Sequence, residues 1–274
     1  MSIKLGVIGG GVMGEALLSR LLAQQLYRSD EVLVSEPQAK RREFLVQEYG
    51  VQVTSDNRSA AAASDVLLLA IKPQIFEAVT TELSAGNEKV SQGEESLPVV
   101  VSILAGVSLS QLEAAFGNQP VIRAMPNTPA TVGEGITAIA SGKAVTHHHI
   151  EQVTAIFQAV GEVVEVPESL MDAVTGLSGS GPAYVAIMIE ALADGGVAAG
   201  LPRAIASKLA LSTVLGTAQL LQKSELHPAE LKDRVTSPGG TTIAGVSQLE
   251  RAGFRSALIE AVLAAKTRSV ELGQ

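Results

Sequence analysis

The sequence contains no cysteine and no tryptophan among its 274 residues. The lack of cysteine excludes disulfides, thiolate nucleophiles and thiolate metal sites. Aromatic residues make up only 3% of the chain, which is too few for the base-stacking platforms of single-strand-binding proteins. The net charge of −8 also argues against nucleic acid as a partner, because phosphate backbones are bound by basic surfaces.

Targeting and membrane signals are also lacking. The N-terminal residues reach glycine after a short apolar run and lack the apolar core of a secretory signal. No uninterrupted apolar run approaches the roughly 18 residues of a membrane span. The chain is therefore expected to be cytoplasmic and to bind no membrane. A hydrophobic share of 46% against 18% charged residues predicts a folded chain with a sizeable core.

The pattern of the chain changes near residue 170. Before it, short β-rich runs alternate with helical patterns, which predicts βαβ units and a doubly wound parallel sheet. Residues 66–71 and 99–104 are largely apolar without alternation, as is typical of strands buried on both faces. Further strands are expected at residues 3–8, 31–35, 121–124, 135–140 and 162–166, helices at 15–25, 38–49 and 150–160, and a polar surface loop at 84–98. The predicted α/β domain spans residues 1–168.

Residues 169–274 form a second, all-helical domain in this prediction. One helix is expected from Pro182 to about Gly200, and the next from Pro202 to about residue 222. Residues 183–222 contain only four charged side chains, and helices this apolar cannot each present a polar face to water. A domain of about 100 residues cannot bury that much surface alone, so two copies are expected to interleave as a homodimer.

The first strand leads into a glycine-rich turn. Gly9, Gly11 and Gly14 form the pattern G-x-G-x-x-G between this strand and the first helix. In that context the glycines permit a tight turn, close approach of a pyrophosphate and close packing of helix on strand. The free N–H groups of the helix N-terminus then attract the phosphates. The pattern predicts a dinucleotide site, and a merely tight βα turn is the alternative.

The end of the second strand leaves the choice of dinucleotide open. Glu36 lies where an acid binds the ribose 2′-hydroxyl of NAD. Ser35 and the basic residues 40–42 are equally able to hold a 2′-phosphate, although a basic run is also typical of a solvated helix face. We expect NADPH to be preferred, NADH to be accepted, and replacement of Glu36 by alanine to favour NADPH further.

Two more strand ends carry candidate cofactor contacts. Ala70 is small enough to let a cofactor lie close, and Lys72 is within reach of a phosphate or the substrate. A surface lysine before a turn proline is the alternative. Asn127 lies in a stiff loop between two prolines, where its amide can both donate and accept hydrogen bonds beside a nicotinamide.

The helical domain contains two segments rich in glycine and serine or threonine. SGSGPAY covers residues 178–184, and SPGGTT covers residues 237–242. The second offers backbone N–H groups left uncovered by its glycines, together with three hydroxyls, and is suited to a carboxylate. Ordinary helix entry is the alternative for both. No metal site is expected, because three consecutive histidines at 147–149 point about 100° apart on a helix.

Taken together, GVIGGGVMGEAL, AIKP, RAMPNTPA, SGSGPAY and VTSPGGTTIAGVSQLERAGFRSALIEAV resemble the motifs of pyrroline-5-carboxylate reductases, along essentially the whole chain. The resemblance implies an N-terminal Rossmann domain, a helical dimerisation domain, and self-association as a dimer or a ring of dimers. It also implies hydride transfer from NAD(P)H to 1-pyrroline-5-carboxylate, giving L-proline.

The same resemblance implies a role for each matching position. Thr242 and Ser237 are the implied catalytic residues, with Thr242 at the imine nitrogen. The implied substrate contacts are Ser180, Ser237, Gly240, Thr241 and Thr242. The implied cofactor contacts are Gly9, Gly11, Met13, Gly14, Ser35, Asn57, Ala70, Lys72, Pro73 and Asn127. One position departs from the family pattern, since Glu36 stands where members often have a basic or neutral residue.

Two other functions use the same layout. A β-hydroxyacid dehydrogenase needs a catalytic lysine on the first long helix of the second domain, and residues 183–194 contain none. A non-enzymatic NADP-binding protein needs no substrate site, and the two glycine-rich segments argue against it. Because one fold supports many functions, the two glycine-rich segments, and not the fold, distinguish the reductase hypothesis from these two alternatives.

Overall fold

The computed structural model describes residues 2–84 and 97–273. Most of the predicted surface loop at 84–98 lies outside the described residues. The chain divides into a sheet unit, residues 1–179 with 265–274, and a helical unit, residues 180–264. The predicted domain boundary after residue 168 stays a prediction.

The described residues of the sheet unit form an eight-stranded sheet in the order β3-β2-β1-β4-β5-β6-β7-β8. Its strands are β1 (Leu5–Ile8), β2 (Val32–Ser35), β3 (Gln52–Thr54), β4 (Val66–Leu69), β5 (Val99–Ser102), β6 (Val121–Met125), β7 (Gly135–Ser141) and β8 (Gly161–Glu165). All neighbouring pairs are parallel except β6 and β7. The predicted doubly wound α/β class is therefore confirmed.

Helices flank this sheet in the sheet unit. They are α1 (Val12–Ala23), α2 (Ala39–Tyr49), α3 (Asn57–Ala61), α4 (Phe76–Ser84), α5 (Leu109–Phe116), α6 (His147–Gln158) and α7 (Met171–Val174). β3, α3, α4 and α5 are absent from the sequence-based prediction. The capping box at the start of α5, in which Ser108 and Gln111 satisfy each other's backbone N–H groups, is a signal that predicts that helix.

The central strands are buried because helices cover both faces. Leu68 and Val101 belong to one core cluster, and Leu67 and Val100 belong to the other. Successive residues of a strand point to opposite faces, so two apolar layers require apolar residues at every position. This explains the lack of alternation in these runs.

The helical unit comprises α8 (Gly181–Ala198), α9 (Arg203–Ser224), α10 (Pro228–Arg234), α11 (Thr241–Arg251) and the first part of α12 (Phe254–Leu272). Many of its large apolar side chains are exposed, including Ile187 at 66%, Leu215 at 55% and Ile259 at 60%. Exposed apolar surfaces made of several such side chains mark association sites. The exposure fits the prediction that a second copy covers these helices.

One helix bears on the sequence-based expectation about membranes. Among the residues that the structure describes, α9 is long and apolar enough to cross a bilayer by length and composition, and 11% of its most apolar window is buried. The criterion of an uninterrupted apolar run missed it, because isolated polar residues interrupt the apolar stretch. A helix that packs against another copy of the chain passes the same test.

Candidate active site

The glycine loop lies between β1 and α1, at the centre of the sheet. β2 and β4 flank β1 on opposite sides, so the strand order reverses there and opens a crevice at the carboxyl ends of the strands. Gly9 has a φ of +105°, and a Cβ there would lie 2.5 Å from the carbonyl oxygen of Ala70. A Cβ on Gly14 would lie 2.4 Å from the carbonyl oxygen of Gly9. Glycine is therefore required at both positions by the packing of strand, loop and helix.

Gly11 differs from its neighbours in the loop. Apart from its two chain neighbours, no described atom lies within 4 Å of the position that its Cβ would occupy, and no described side chain caps this end of α1. The first N–H groups of a helix have no acceptor within the helix, and the helix dipole favours an anion there. Met13 is half-buried and packs against the core beneath the loop. Open space in front of free N–H groups fits the pyrophosphate of a dinucleotide.

Gly10 is held from both sides by side chains of the next βα unit. Its N–H donates to Glu36 Oε2 at 3.1 Å, and its carbonyl oxygen accepts from Arg41 Nε at 2.6 Å. The other Glu36 oxygen accepts from the Gln38 N–H at 3.0 Å. Glu36 is only 7% exposed. Its carboxylate therefore fixes the loop, a role that the sequence did not suggest.

Further contacts extend this arrangement toward α2. Arg41 also donates to Glu15, and its guanidinium lies 4.9 Å from the ring centre of Phe44. The Tyr49 hydroxyl donates to Glu15 Oε1 at 2.8 Å. Desolvation alone would raise the pKa of Glu15, but the hydrogen bonds from Arg41 and Tyr49 hold that pKa below its usual range. Desolvation and the bond to Glu15 raise the pKa of Tyr49 to about 12.

The end of β2 is connected to α3 and α4 by side chains. Ser35 is 1% exposed, and its hydroxyl donates to Asn57 Oδ1 at 2.7 Å. Asn57 Nδ2 in turn donates to Glu82 Oε2 at 2.8 Å. The structure thus brings together Ser35 and Asn57, as the resemblance implied. It adds Glu82, which sequence reasoning missed because α4 carries no motif.

Asn127, Ala70 and Lys72 lie after two other strands. Asn127 is 9% exposed, and its Oδ1 accepts from the Ile136 N–H at 3.0 Å, which orients its amide nitrogen as the donor. Ala70 is half-buried next to Gly14. Lys72 is exposed and precedes a 3-10 turn that begins at Pro73. Ala70 thus leaves room at this edge of the crevice, and Asn127 and Lys72 place polar groups there.

In the helical unit, residues 237–242 form a turn that opens α11. The Gly240 N–H donates to the Ser237 carbonyl oxygen at 3.0 Å, and Gly239 has a φ of +67°. This corrects the expectation that the glycine N–H groups are uncovered, since that of Gly240 closes the turn. The donors left for a ligand are those of the first turn of α11, where no described side chain caps Gly240. The hydroxyls of Ser237, Thr241 and Thr242 belong to this same short segment.

Ser180 precedes α8, whose first turn contains Pro182. A π-helical turn, Thr175–Gly179, comes immediately before it, and such turns are frequent at functional sites. The helical unit therefore presents two glycine-rich helix starts. The three consecutive histidines lie in the first turn of α6, where His149 Nδ1 accepts from the Thr146 N–H at 3.1 Å.

The comparisons with known proteins cover the whole chain. Residues 168–272 match the family model for pyrroline-5-carboxylate reductase dimerisation, and residues 4–106 match the model for NADP oxidoreductase, coenzyme F420-dependent. The chain is 61% identical to pyrroline-5-carboxylate reductase of Synechocystis over 274 residues, covering 100% of both.

Two solved structures are also similar along their full length. A pyrroline-5-carboxylate reductase from Coxiella burnetii matches with a TM-score of 0.89 and 33% identity, covering 100% of both chains. The Plasmodium falciparum pyrroline carboxylate reductase, solved with NADP bound, matches with a TM-score of 0.87 and 32% identity, covering 99% of this chain and 98% of that one. These full-length matches, together with the dimerisation model, show that the chain belongs to the pyrroline-5-carboxylate reductase family.

Proposed function

We propose that this chain reduces 1-pyrroline-5-carboxylate to L-proline with NADPH as the hydride donor, the last step of proline biosynthesis. NADH is accepted as a second cofactor. The chain is 61% identical to a full-length relative. The observation that carries this function is that the same chain has both a glycine loop with open space at Gly11 and a hydroxyl-rich helix start at residues 237–242. The first suits a dinucleotide and the second suits a small carboxylate.

The cofactor is held by the crevice at the centre of the sheet. The pyrophosphate lies against the first N–H groups of α1, where Gly11 leaves room for it. The adenosine 2′ end lies at Ser35 and Asn57, and Asn127 donates to the nicotinamide amide. The full set of contacts is Gly9, Gly11, Met13, Gly14, Ser35, Asn57, Ala70, Lys72, Pro73 and Asn127.

The substrate is held by its carboxylate. The N–H groups that begin α11 and the hydroxyls of Ser237 and Thr241 bind this anion, helped by the helix dipole. Thr242 places its hydroxyl at the imine nitrogen. Ser180 and Gly240 complete the substrate contacts, Ser180 from the start of α8.

Catalysis by these residues is mainly positioning. NADPH, when bound, supplies the hydride. A protonated cyclic imine is already a strong electrophile, so the chain needs only to fix its carbon close to the donor and to hold a proton at nitrogen. Ser237 and Thr242 are the residues assigned to these tasks.

Self-association follows from the dimerisation domain. We assign the exposed apolar helices to a homodimer, with a ring of dimers as the larger assembly. The low aromatic content and the acidic net charge favour a protein that binds neither nucleic acid nor membrane. A cytoplasmic location agrees with the absence of cysteine.

The direct test is oxidation of NADPH in the presence of synthetic pyrroline-5-carboxylate, compared with a panel of β-hydroxyacids as substrates for NADP⁺. Turnover of the imine alone supports the proposal. Turnover of a β-hydroxyacid alone assigns the chain to the dehydrogenases, and binding of NADPH without any turnover assigns it to the non-enzymatic class.

A matched pair of variants tests the placement of the pyrophosphate. Gly11→Ala adds a methyl group where no described atom lies within 4 Å, so it is expected to raise the KM for NADPH while leaving the melting temperature nearly unchanged. Gly14→Ala adds the same group 2.4 Å from a carbonyl oxygen and is expected to destabilise the fold. An unchanged KM for Gly11→Ala contradicts the placement.

A further inference from the structure

Asn57 connects the end of β2 to α4 through two hydrogen bonds. Its Oδ1 accepts from Ser35 at 2.7 Å, and its Nδ2 donates to Glu82 Oε2 at 2.8 Å. Ser35 is 1% exposed, whereas Asn57 and Glu82 are half-buried. The side chain that lies over Ser35 is thus itself bound to a carboxylate.

This arrangement favours a ribose hydroxyl over a phosphate at the same position. A phosphate bound by the Asn57 amide is separated from the Glu82 carboxylate by the width of that amide group. Two anions so close repel each other, and the carboxylate also competes for the same N–H donors. A ribose hydroxyl carries no charge and can donate to a carboxylate, so it meets no such penalty.

Glu36, the acid that the sequence predicts near the ribose, is already hydrogen-bonded within the protein. Glu36 accepts hydrogen bonds from the N–H groups of Gly10 and Gln38 and is 7% exposed. The carboxylate that is bonded to the amide beside Ser35 is that of Glu82, 25 residues along the chain from Asn57. Arg58 donates to the backbone oxygen of Glu82 at 2.9 Å, which places a cation next to this end of α4 and moderates the repulsion.

We propose that Glu82 is a specificity-determining residue that lowers the affinity for the 2′-phosphate and so narrows the preference of this chain for NADPH over NADH. The proposal rests on the proposed function, which places the adenosine 2′ end at Ser35 and Asn57. It adds Glu82 to the discrimination that the sequence suggested for Glu36.

The test is Glu82→Gln, which removes the charge and keeps an oxygen at the same distance along the side chain. The ratio of kcat/KM for NADPH to that for NADH is expected to rise about tenfold, mainly through a lower KM for NADPH, because like charges brought together cost affinity. The rise is expected to shrink in about 1 M salt, where the Debye length is only about 3 Å. A merely structural role of Glu82 does not produce this salt dependence.

Two control variants accompany the test. Glu77→Gln makes the same charge change at an exposed position of α4 and is expected to leave the cofactor ratio unchanged. Glu82→Asp keeps the charge and is expected to keep a ratio close to that of the wild type. Calorimetric titration with adenosine 2′,5′-bisphosphate and with AMP measures the same preference without turnover, and so applies to any variant that folds.

The outcomes separate this proposal from the proposed function. A wild-type enzyme that reduces pyrroline-5-carboxylate, together with a Glu82→Gln variant of unchanged cofactor ratio and unchanged bisphosphate affinity, overturns the role of Glu82. An equal rise in the ratio for Glu77→Gln also overturns it, because the effect is then one of general charge. A wild-type protein without reductase activity contradicts the proposed function, while the titrations still report on Glu82.

Discussion

Replacing Glu36 by alanine is expected to weaken the binding of both cofactors, to lower the melting temperature and to shift the preference further toward NADPH. The variant removes the acceptor for the buried Gly10 N–H and for the part-buried Gln38 N–H, which belongs to an exposed residue. Water can replace the acceptor at Gln38, but the Gly10 N–H is left without one.

The magnitude follows from that single buried donor. An unsatisfied buried N–H group costs about 1–3 kcal/mol, and for a chain of this size each kcal/mol lowers the melting temperature by about 2–4 °C. We therefore expect a fall of about 2–12 °C by calorimetry. Because the freed Gly10 peptide loosens the phosphate loop, the KM for both NADPH and NADH is expected to rise by up to about tenfold, equivalent to about 1.4 kcal/mol.

Glu36→Gln is the matched control. Its amide keeps an oxygen to accept from the Gly10 N–H while losing the charge, and only the acceptor at the Gln38 N–H is lost, where water can replace it. Its melting temperature and its KM for NADH are therefore expected to stay near the wild-type values. Both variants are expected to favour NADPH, because each removes a negative charge near the 2′ end. An alanine variant with wild-type melting temperature and wild-type KM for NADH refutes the assignment of Glu36 as the residue that fixes the loop.

Three further predictions concern the substrate, the assembly and pH. Thr242→Ala is expected to lower kcat/KM by about 5- to 150-fold, equal to about 1–3 kcal/mol of transition-state stabilisation. The NADPH affinity, measured by fluorescence titration, is expected to stay within about threefold of wild type. Loss of NADPH binding with retained turnover would assign residues 237–242 to the cofactor site instead. Light scattering at micromolar concentration is expected to give at least twice 28.3 kDa, and a folded monomer contradicts the proposed homodimer. Burial raises the pKa of the Tyr27 phenol from 10.0 to about 12, so its contribution to stability is present below about pH 10 and is lost as the pH rises to about 12. In the wild type this loss amounts to about 3 kcal/mol of unfolding free energy. Tyr27→Phe is expected to abolish it, as measured by denaturant unfolding at several pH values. An equal loss in the variant would show that Tyr27 does not cause it.

The sequence by itself determined the features that depend on local chemistry. Gly9 and Gly14 were predictable because a Cβ at either position would lie 2.4–2.5 Å from a carbonyl oxygen, and Gly9 also has a positive φ. The spacing of the glycines between strand and helix reflects these requirements. The buried strands were predictable because a run covered on both faces has no polar position. The motifs around Asn127 and residues 237–242 also identified the family, since they are short and contiguous in the chain.

Only the tertiary structure decided which charged and polar side chains meet. Glu36 and Arg41 have the sequence pattern of ribose and phosphate ligands, yet both bind Gly10 because the parallel pairing of β1 and β2 places the glycine loop against the start of α2. Glu82 has no motif, and it reaches Asn57 because the order of the sheet brings α3 and α4 together. Such contacts depend on strand order and helix packing over tens of residues, and a single side chain's identity does not encode its partner at that separation.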